Sequence, residues 1–456
     1  MSNQLEGSAS LMPASAVEGE VGRREGVAPV TGEERSVSID AVRGLAVLGI
    51  LVMNIPNLAI PDAYVGYPNL PAEYSSFNLP YWFGCLLLFE GKMRCLFSML
   101  FGAGCVLLTA RADLRGAASE SADIYYRRMI VLMLIGLLHA YLLWYGDILF
   151  WYGSLGMLLF PFRKLSATVL LVIGLILTAT FIPQGYYQEY KYQMVKLEGE
   201  QAEAAAKEGQ MLTEEQTAAR QAWEAYQKRM KPPTDKEIEK QINEHQGDYF
   251  GIFKKRAKNL LATHAMIIYQ IGLPDVLGFM FIGMALFKFG LFSAQRSSRI
   301  YITLAMLGYG VGVPLTIYFG KLLIDSQFAR HESLLYFHQM YGLERLGIAV
   351  GHTCVVMLLC RHGMLTWLTS RLAAVGQMAL TNYLMQTVIC TTLFYGYGFG
   401  LYGKLQLYQL GLVVLAIWLV QLLLSPLWLR YFRFGPVEWL WRSLTYLQWQ
   451  RMGKKA

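Results

Sequence analysis

Asp147 follows His139 by eight positions inside an otherwise oily run, LIGLLHAYLLWYGDI, from Leu134 to Ile148. Imidazole titrates near neutral pH and is the commonest general base, and a carboxylate often orients it. On a regular helix eight residues advance about 12 Å. The two side chains would then share a broad side but stand two turns apart, beyond a direct hydrogen bond. His139 would have to find its partner on another helix or in water. A lone histidine on an apolar face is more often a satisfied core residue, so a catalytic role requires further polar groups at the same depth.

Several such groups exist. Asp40 and Arg43, in SIDAVRGLAV, are three apart and share a helix face. They suit a structural ion pair or an anion site, and Gly44 beside them permits close approach of a backbone or ligand. Asn54 follows in ILVMN, where an amide can join helices or hold a substrate oxygen. Lys92 and Arg94, with Glu90, interrupt an apolar stretch; Glu344 and Arg345 stand in MYGLERLGIAVGH. Gln377, Thr381, Asn382 and Gln386, in VGQMALTNYLMQ, form a polar stripe at helical spacing. An ionisable group inside a membrane span costs about 2.5–3.5 kcal/mol on insertion scales and points to function by default. The number of these groups implies a polar interior.

Other chemistries find no support. The sequence has no GxSxG, HExxH, Walker A loop or Rossmann fingerprint, which leaves nucleotide hydrolysis and metalloprotease chemistry unsupported. Its six cysteines form no CxxC pair and no Cys/His cluster at metal-ligand spacing, so they read as small core residues and no metal site is expected.

The elements that must position these groups belong in a membrane. Of 456 residues, 55% are hydrophobic and 16% charged, against roughly 45–50% and about 25% in soluble domains, and the mean hydropathy is +0.34. Windows of about 19 residues centre about ten spans near residues 49, 100, 136, 155, 174, 280, 310, 350, 385 and 417. The expected fold is an all-α polytopic membrane protein with an extracytoplasmic helical insertion. The loop PDAYVGYPNLPAEYSSFNLP holds no Lys or Arg, and the next holds Arg111, Arg115, Arg127 and Arg128. This alternation continues to Arg433 and Arg442 and places both termini in the cytoplasm. The net charge of +8 then reflects loop bias rather than nucleic-acid binding.

Residues 1–36, small and polar, read as a disordered cytoplasmic tail. Residues 37–186 hold spans one to five and residues 259–430 spans six to ten, with an amphipathic cytoplasmic segment over 431–456. Between the halves, residues 187–258 are rich in helix formers and interrupted at Pro232-Pro233. They read as an extracytoplasmic pair of helices, a spacer or partner arm without a site. The apolar stretch from Tyr81 to Thr109 exceeds the roughly 20 residues of a straight span. A break near Gly91 is expected, between an interfacial or re-entrant piece and a true span, beside a wet cavity.

SIDAVRGLAVLGILVMNIPN, EGKMRCLFSMLFGAG, RRMIVLMLIGLLHAYLLWYGDIL, GQMALTNYLMQ and FRFGPVEWLWRSLTY, in this order between about residues 36 and 449, resemble the YeiB-like bacterial inner-membrane proteins. That family carries a domain of unknown function. It is similar in turn to the transmembrane acyltransferases, among them the lysosomal heparan-glucosaminide acetyltransferase and bacterial sugar O-acetylating enzymes. The resemblance implies transfer of an acyl group from cytoplasmic acyl-CoA, as co-substrate, to an acceptor across the membrane, with no permanently bound cofactor. In that superfamily an Arg-Gly pair opens the first span and a polar residue follows the arginine by eleven positions. Here these are Arg43-Gly44 and Asn54, where one branch has histidine. An amide takes up no proton near pH 7, so another base is needed, and His139 is the candidate.

The expected roles follow. His139 is the base, oriented by Asp147 or by a partner on another span; Asn54 holds the thioester oxygen as charge develops; Arg43 attracts the CoA phosphates. Lys92, Arg94, Glu344, Arg345, Asn382 and Gln386 line the substrate path. The partners are membrane lipid, acyl-CoA and a sugar, glycan or lipid acceptor, with no nucleic acid; assembly into a homo-oligomer is left open. The rival is a transporter or lipid-handling protein without acyl transfer, which shares interrupted spans and a polar midplane, although the two halves of the sequence do not echo one another.

Overall fold

Helix α1, Val37–Ala59, is apolar over most of its surface because it is largely enclosed, with sixteen of its residues buried. It crosses α15 (Thr366–Gln377) so tightly that each helix needs a glycine at the contact. A Cβ at Gly44 would run into the Leu372 carbonyl, and one at Gly376 into the Asp40 carbonyl. The computed structural model describes residues 37–66, 76–114, 118–231, 233–267, 275–328 and 341–454. The tail expected over residues 1–36 lies outside them. Among the described residues the regular structure is helical and no strand forms.

Around α1 the chain runs through α2 (Asp62–Gly66), α3 (Asn78–Leu88), α4 (Lys92–Leu114), α5 (Ala118–Leu142), α6 (Leu149–Gly156) and α7 (Ala167–Ala179). The expected break lies between α3 and α4, where Gly91 has φ +67°, a left-handed conformation that glycine adopts without a Cβ penalty. The break starts α4 at Lys92, so Lys92 Nζ reaches back to the Leu86 carbonyl (2.7 Å) at the end of α3. The second half comprises α12 (Gly278–Lys288), α13 (Ser298–Asp325), α14 (Tyr341–Arg361), α15, α16 (Ala379–Phe394), α17 (Leu407–Tyr431) and α18 (Pro436–Tyr446).

Among the described residues six helical stretches are long and apolar enough to cross a bilayer: Val37–Ala59, Asn78–Ala110, Ala167–Lys207, Ser298–Asp325, Gly342–Arg361 and Leu407–Tyr431. The other centres read from the sequence fall on helices that are shorter or more polar, namely α5, α6, α12 and α16. Large apolar side chains face outward along these helices, as Ile130, Leu134 and Leu138 do on α5 and Leu412, Leu415, Leu419 and Leu423 on α17. In water such a belt would be a large exposed patch; in lipid it is the expected surface. The protein is a multi-pass membrane protein.

Residues 187–258 differ from the expected helix pair. Four helices cover them: α8 (Phe181–Lys207), α9 (Glu214–Met230), α10 (Asp235–His245) and α11 (Tyr249–Ile267). The first turn comes not at the prolines but at residues 208–213, where Gly209 has φ +76° and Thr213 with Gln216 caps α9. Thr234 and Glu237 cap α10 in the same way. The hairpin α8–α9 stands apart, with Trp223 seated against Gly199. Helices α10 and α11 turn back onto the bundle. Gly396 N–H donates to the His245 carbonyl (2.8 Å), Gln246 to the Gly400 carbonyl (3.1 Å), and the Tyr249 hydroxyl to the Leu142 carbonyl (3.0 Å).

Candidate functional site

The helix bearing His139 stops three residues later, and that stop makes the site. Helix α5 ends at Leu142, with the Leu143 and Trp144 amides returning to the His139 carbonyl. The chain then reverses through Tyr145–Ile148 into α6. The sequence reading, which assumed a regular helix, put Asp147 two turns beyond reach. The reversal instead brings its Oδ1 to 2.8 Å from His139 Nδ1. Gly136 admits this return, since a Cβ there would strike the Phe150 amide and Asp147 Oδ2. The other carboxylate oxygen accepts the Phe150 N–H at 2.7 Å, which fixes the carboxylate plane at the start of α6.

The second ring nitrogen has the partner on another span that the sequence required: His139 Nε2 lies 3.0 Å from Thr387 Oγ1 on α16. With Asp147 accepting from Nδ1–H, Nε2 carries the lone pair and the Thr387 hydroxyl donates to it. This is the hydroxyl–imidazole–carboxylate order in which an imidazole takes a proton at one nitrogen while a carboxylate holds the other. The Tyr383 ring packs 5.2 Å from the imidazole. At 2% exposure His139 is sealed from bulk solvent, and it reaches internal space only through its neighbours Asp147 and Tyr383.

Two cavities flank the site. The first, about 240 Å³, lies toward the start of α1, with Asp40, Arg43, Arg128, Glu438 and Arg442 in its wall, and extends to Tyr383, Ile148 and Tyr152. The second, about 710 Å³, lies toward the end of α1, where Asn57, Arg94, Asp147 and Asp275 line it beneath a roof of α10 and α11. Ile148 and Tyr152 line both, and so form the wall between them. Tyr152 is pinned in that wall by Ser98 Oγ at 2.7 Å. Asp147 faces the second cavity, and Tyr383, against His139, faces the first.

The other sequence candidates divide between cavity and scaffold. Arg43 lines the first cavity, where it also pairs with Asp40. Arg94 lines the second and pairs with Asp275 at 3.1 Å; Arg345, buried, holds the same carboxylate at 2.6 Å. Lys92 and Glu344 form a fully enclosed pair at 2.9 Å, with the Thr316 hydroxyl donating to Glu344 at 2.7 Å. Asn382 bonds the Val375 carbonyl and Ser425, while Gln386 bonds the Val47 carbonyl and Gln421. These four and Arg345 tie helices together and line neither cavity. Asn54 also lines neither. It continues the α1 stripe Arg43, Val47, Ile50, Asn57 at the level between the cavities. The expected polar stripe is split as well, since Gln377 closes α15 and Met378 separates it from α16. There Glu438 of α18 caps α16, accepting from the Leu380 (2.6 Å) and Thr381 (3.0 Å) amides.

Sequence reasoning missed Thr387, Tyr152 and the roof residues of the insertion. Threonine and tyrosine are ordinary core residues until a partner is known, so no local signal marks them. The roof had one: Ile238 and Ile242 give the polar α10 a single apolar edge, and Ile242 packs into the core cluster around Tyr395 and Tyr402.

Comparison with known proteins bears on the whole chain. A family model described as "Protein of unknown function (DUF418)" matches residues 286–448. The uncharacterized protein YxaH of Bacillus subtilis (strain 168) is 30% identical, over 94% of this chain and 98% of its own length. The uncharacterized protein YeiB of Escherichia coli (strain K12) is 31% identical, over 90% and 96%. An uncharacterized 39.9 kDa protein encoded in the amylase 3' region of Bacillus acidopullulyticus is 26% identical, over 92% and 96%. No solved structure matches.

Proposed function

This chain belongs to the YeiB-like DUF418 family, and from that premise we propose that it is an integral-membrane acyltransferase. One observation carries the reading: a histidine backed by a carboxylate sits between two cavities that lie toward opposite ends of α1, lining neither itself but bonded to Asp147 in the wall of one and packed on Tyr383 in the wall of the other. The end holding Arg43, Arg128 and Arg442 is the cytoplasmic side of a bacterial inner membrane by its excess of basic residues. These arginines attract the phosphates of acyl-CoA, whose acyl end reaches Tyr383, Ile148 and Tyr152. The acceptor waits in the second cavity, beside Asp147.

His139 Nε2 takes the acceptor's hydroxyl proton, in the position the Thr387 hydroxyl now fills, while Asp147 stabilises the imidazolium. The acceptor oxygen bonds the thioester carbon, the carbon–sulfur bond breaks, and the CoA thiolate receives the proton. The products are an ester and a free thiol. The Tyr383 hydroxyl, 3.5 Å from the Gly146 carbonyl and beside the Ile148 amide, is the donor placed to meet developing oxyanion charge.

The test is thiol release from acyl-CoA by purified protein offered a panel of sugars, glycans and lipids. A general base contributes about 10²–10⁴-fold, so His139→Gln should lose that much turnover while still binding acyl-CoA. Thiol release that survives His139→Gln unchanged overturns the assignment. Two cavities separated by a thin wall also suit alternating access; solute uptake into vesicles without acyl-CoA would establish transport instead.

A further inference from the structure

We propose that the second cavity contains an anion site, in which one edge of the Arg256 guanidinium takes a phosphate group of the ligand held there. Arg256 lies on α11 in the cavity wall and is 7% exposed. Its Nη1 donates to the Leu143 carbonyl. Its Nε and Nη2 are buried and have no hydrogen-bond partner among the described residues. Those two nitrogens form one edge of the guanidinium, the fork whose parallel N–H bonds match two oxygens of a phosphate or carboxylate. A guanidinium does not neutralise itself by losing a proton, and a buried charge without a counter-ion is strongly disfavoured.

Among the described residues the cavity supplies no counter-ion of its own. Each of its acids is engaged elsewhere: Glu244 with Lys255, Asp275 with Arg94 and Arg345, Asp147 with His139. Asp62 interacts with His245. The electrostatic neighbours of Arg256 are the phenols of Tyr395, Tyr397 and Tyr249. Phosphate is favoured over carboxylate by what surrounds the fork. Two oxygens satisfy Arg256, and a phosphate has further oxygens for Lys255 and for the phenols of Tyr145, Tyr395 and Tyr402, which line the same space. A cavity of about 710 Å³ leaves room for the rest of a phosphate ester to extend to Asp147. That this ester is the acyl acceptor rests on the function proposed above; the anion site itself does not.

Binding is measured without acyl donor, by thermal melting of the full chain in phosphatidylcholine nanodiscs. One arm adds glycerol 3-phosphate, a second places phosphatidic acid in the discs, and a third adds acetate. A phosphate arm should raise the melting temperature, and whichever does so identifies a soluble or a lipid source. Arg256→Gln should weaken that binding tenfold or more, yet melt near the wild type without ligand, because it removes an unpaired charge. Arg256→Lys, which keeps the charge and loses the fork, should also weaken it and serves if the glutamine variant fails to fold. No shift in either phosphate arm, a shift that survives both variants, or a shift with acetate alone overturns the site. Phosphate binding by a protein that releases no thiol would leave the site standing and remove the acyl-transfer reading.

Discussion

At the residue scale, the unusual property of His139 is that both ring nitrogens are engaged in a place with no bulk water. The Thr387 hydroxyl is the part of this arrangement most open to a stability test. It has a weak alternative acceptor in the Tyr383 carbonyl at 3.5 Å, so its bond to Nε2 is the stronger one. Thr387→Val preserves shape and removes the donor, leaving Nε2 buried and unsatisfied. The expected cost is about 1–3 kcal/mol. Thr387→Ser keeps the hydroxyl and should melt close to the wild type. Identical melts for all three proteins would show that the hydroxyl does not hold the ring. The aspartate was legible in the sequence as a type, but its contact was not, because the distance argument depended on where α5 stops. Gly146 and Asp147 are turn residues, and read as such they would have ended the helix early enough to close the gap.

At the element scale, the parts that sequence announced are those set by local chemistry. Gly91 among Glu90, Lys92 and Arg94 marked a break, and the chain breaks there with Gly91 in the left-handed region that glycine adopts freely. The roof was hidden, since α10 is polar nearly throughout and its role comes from what it lands on. Its C-terminal His245 stacks on Tyr402 with ring centroids 4.1 Å apart, and its Nδ1 lies 2.8 Å from the Gln241 carbonyl. Burial pushes this imidazole below its usual value, against the opposing pull of Asp62 and Glu244. In the unfolded or detached roof the ring takes a proton near pH 6.5, so the detached state binds more protons below that pH. The histidine's contribution is therefore complete above about pH 6.5 and is lost as pH falls. Protection of the α10 amides, taken as exchange relative to the intrinsic rate at each pH, should fall between pH 7 and 5, and His245→Phe, which keeps the stack, should flatten the dependence. Burial raises Asp62, which acts in the opposite sense, so a variant as pH-sensitive as the wild type would assign the effect elsewhere.

At the scale of the whole molecule, the fold separates two compartments and places its polar chemistry at their boundary. The enclosed Lys92–Glu344 pair and the Arg94–Asp275–Arg345 cluster hold α4 to α14 behind that boundary. Breaking a buried pair from one side typically costs about 3–5 kcal/mol, so their substitution would disturb the scaffold before it informed on chemistry. Ile148 is a better probe, because it faces both cavities and is only partly buried. If the wall keeps water and acceptor from the thioester until both substrates are seated, thinning it should uncouple the reaction. Ile148→Ala is then expected to raise acyl-CoA hydrolysis in the absence of acceptor relative to transfer in its presence. Its stability cost should stay within the few kcal/mol of a large-to-small change. The ratio of thiol released with and without acceptor reads this directly. An unchanged ratio in a folded Ile148→Ala protein would mean that donor and acceptor do not meet across this wall, and the boundary that gives His139 its significance would have to be sought elsewhere in the bundle.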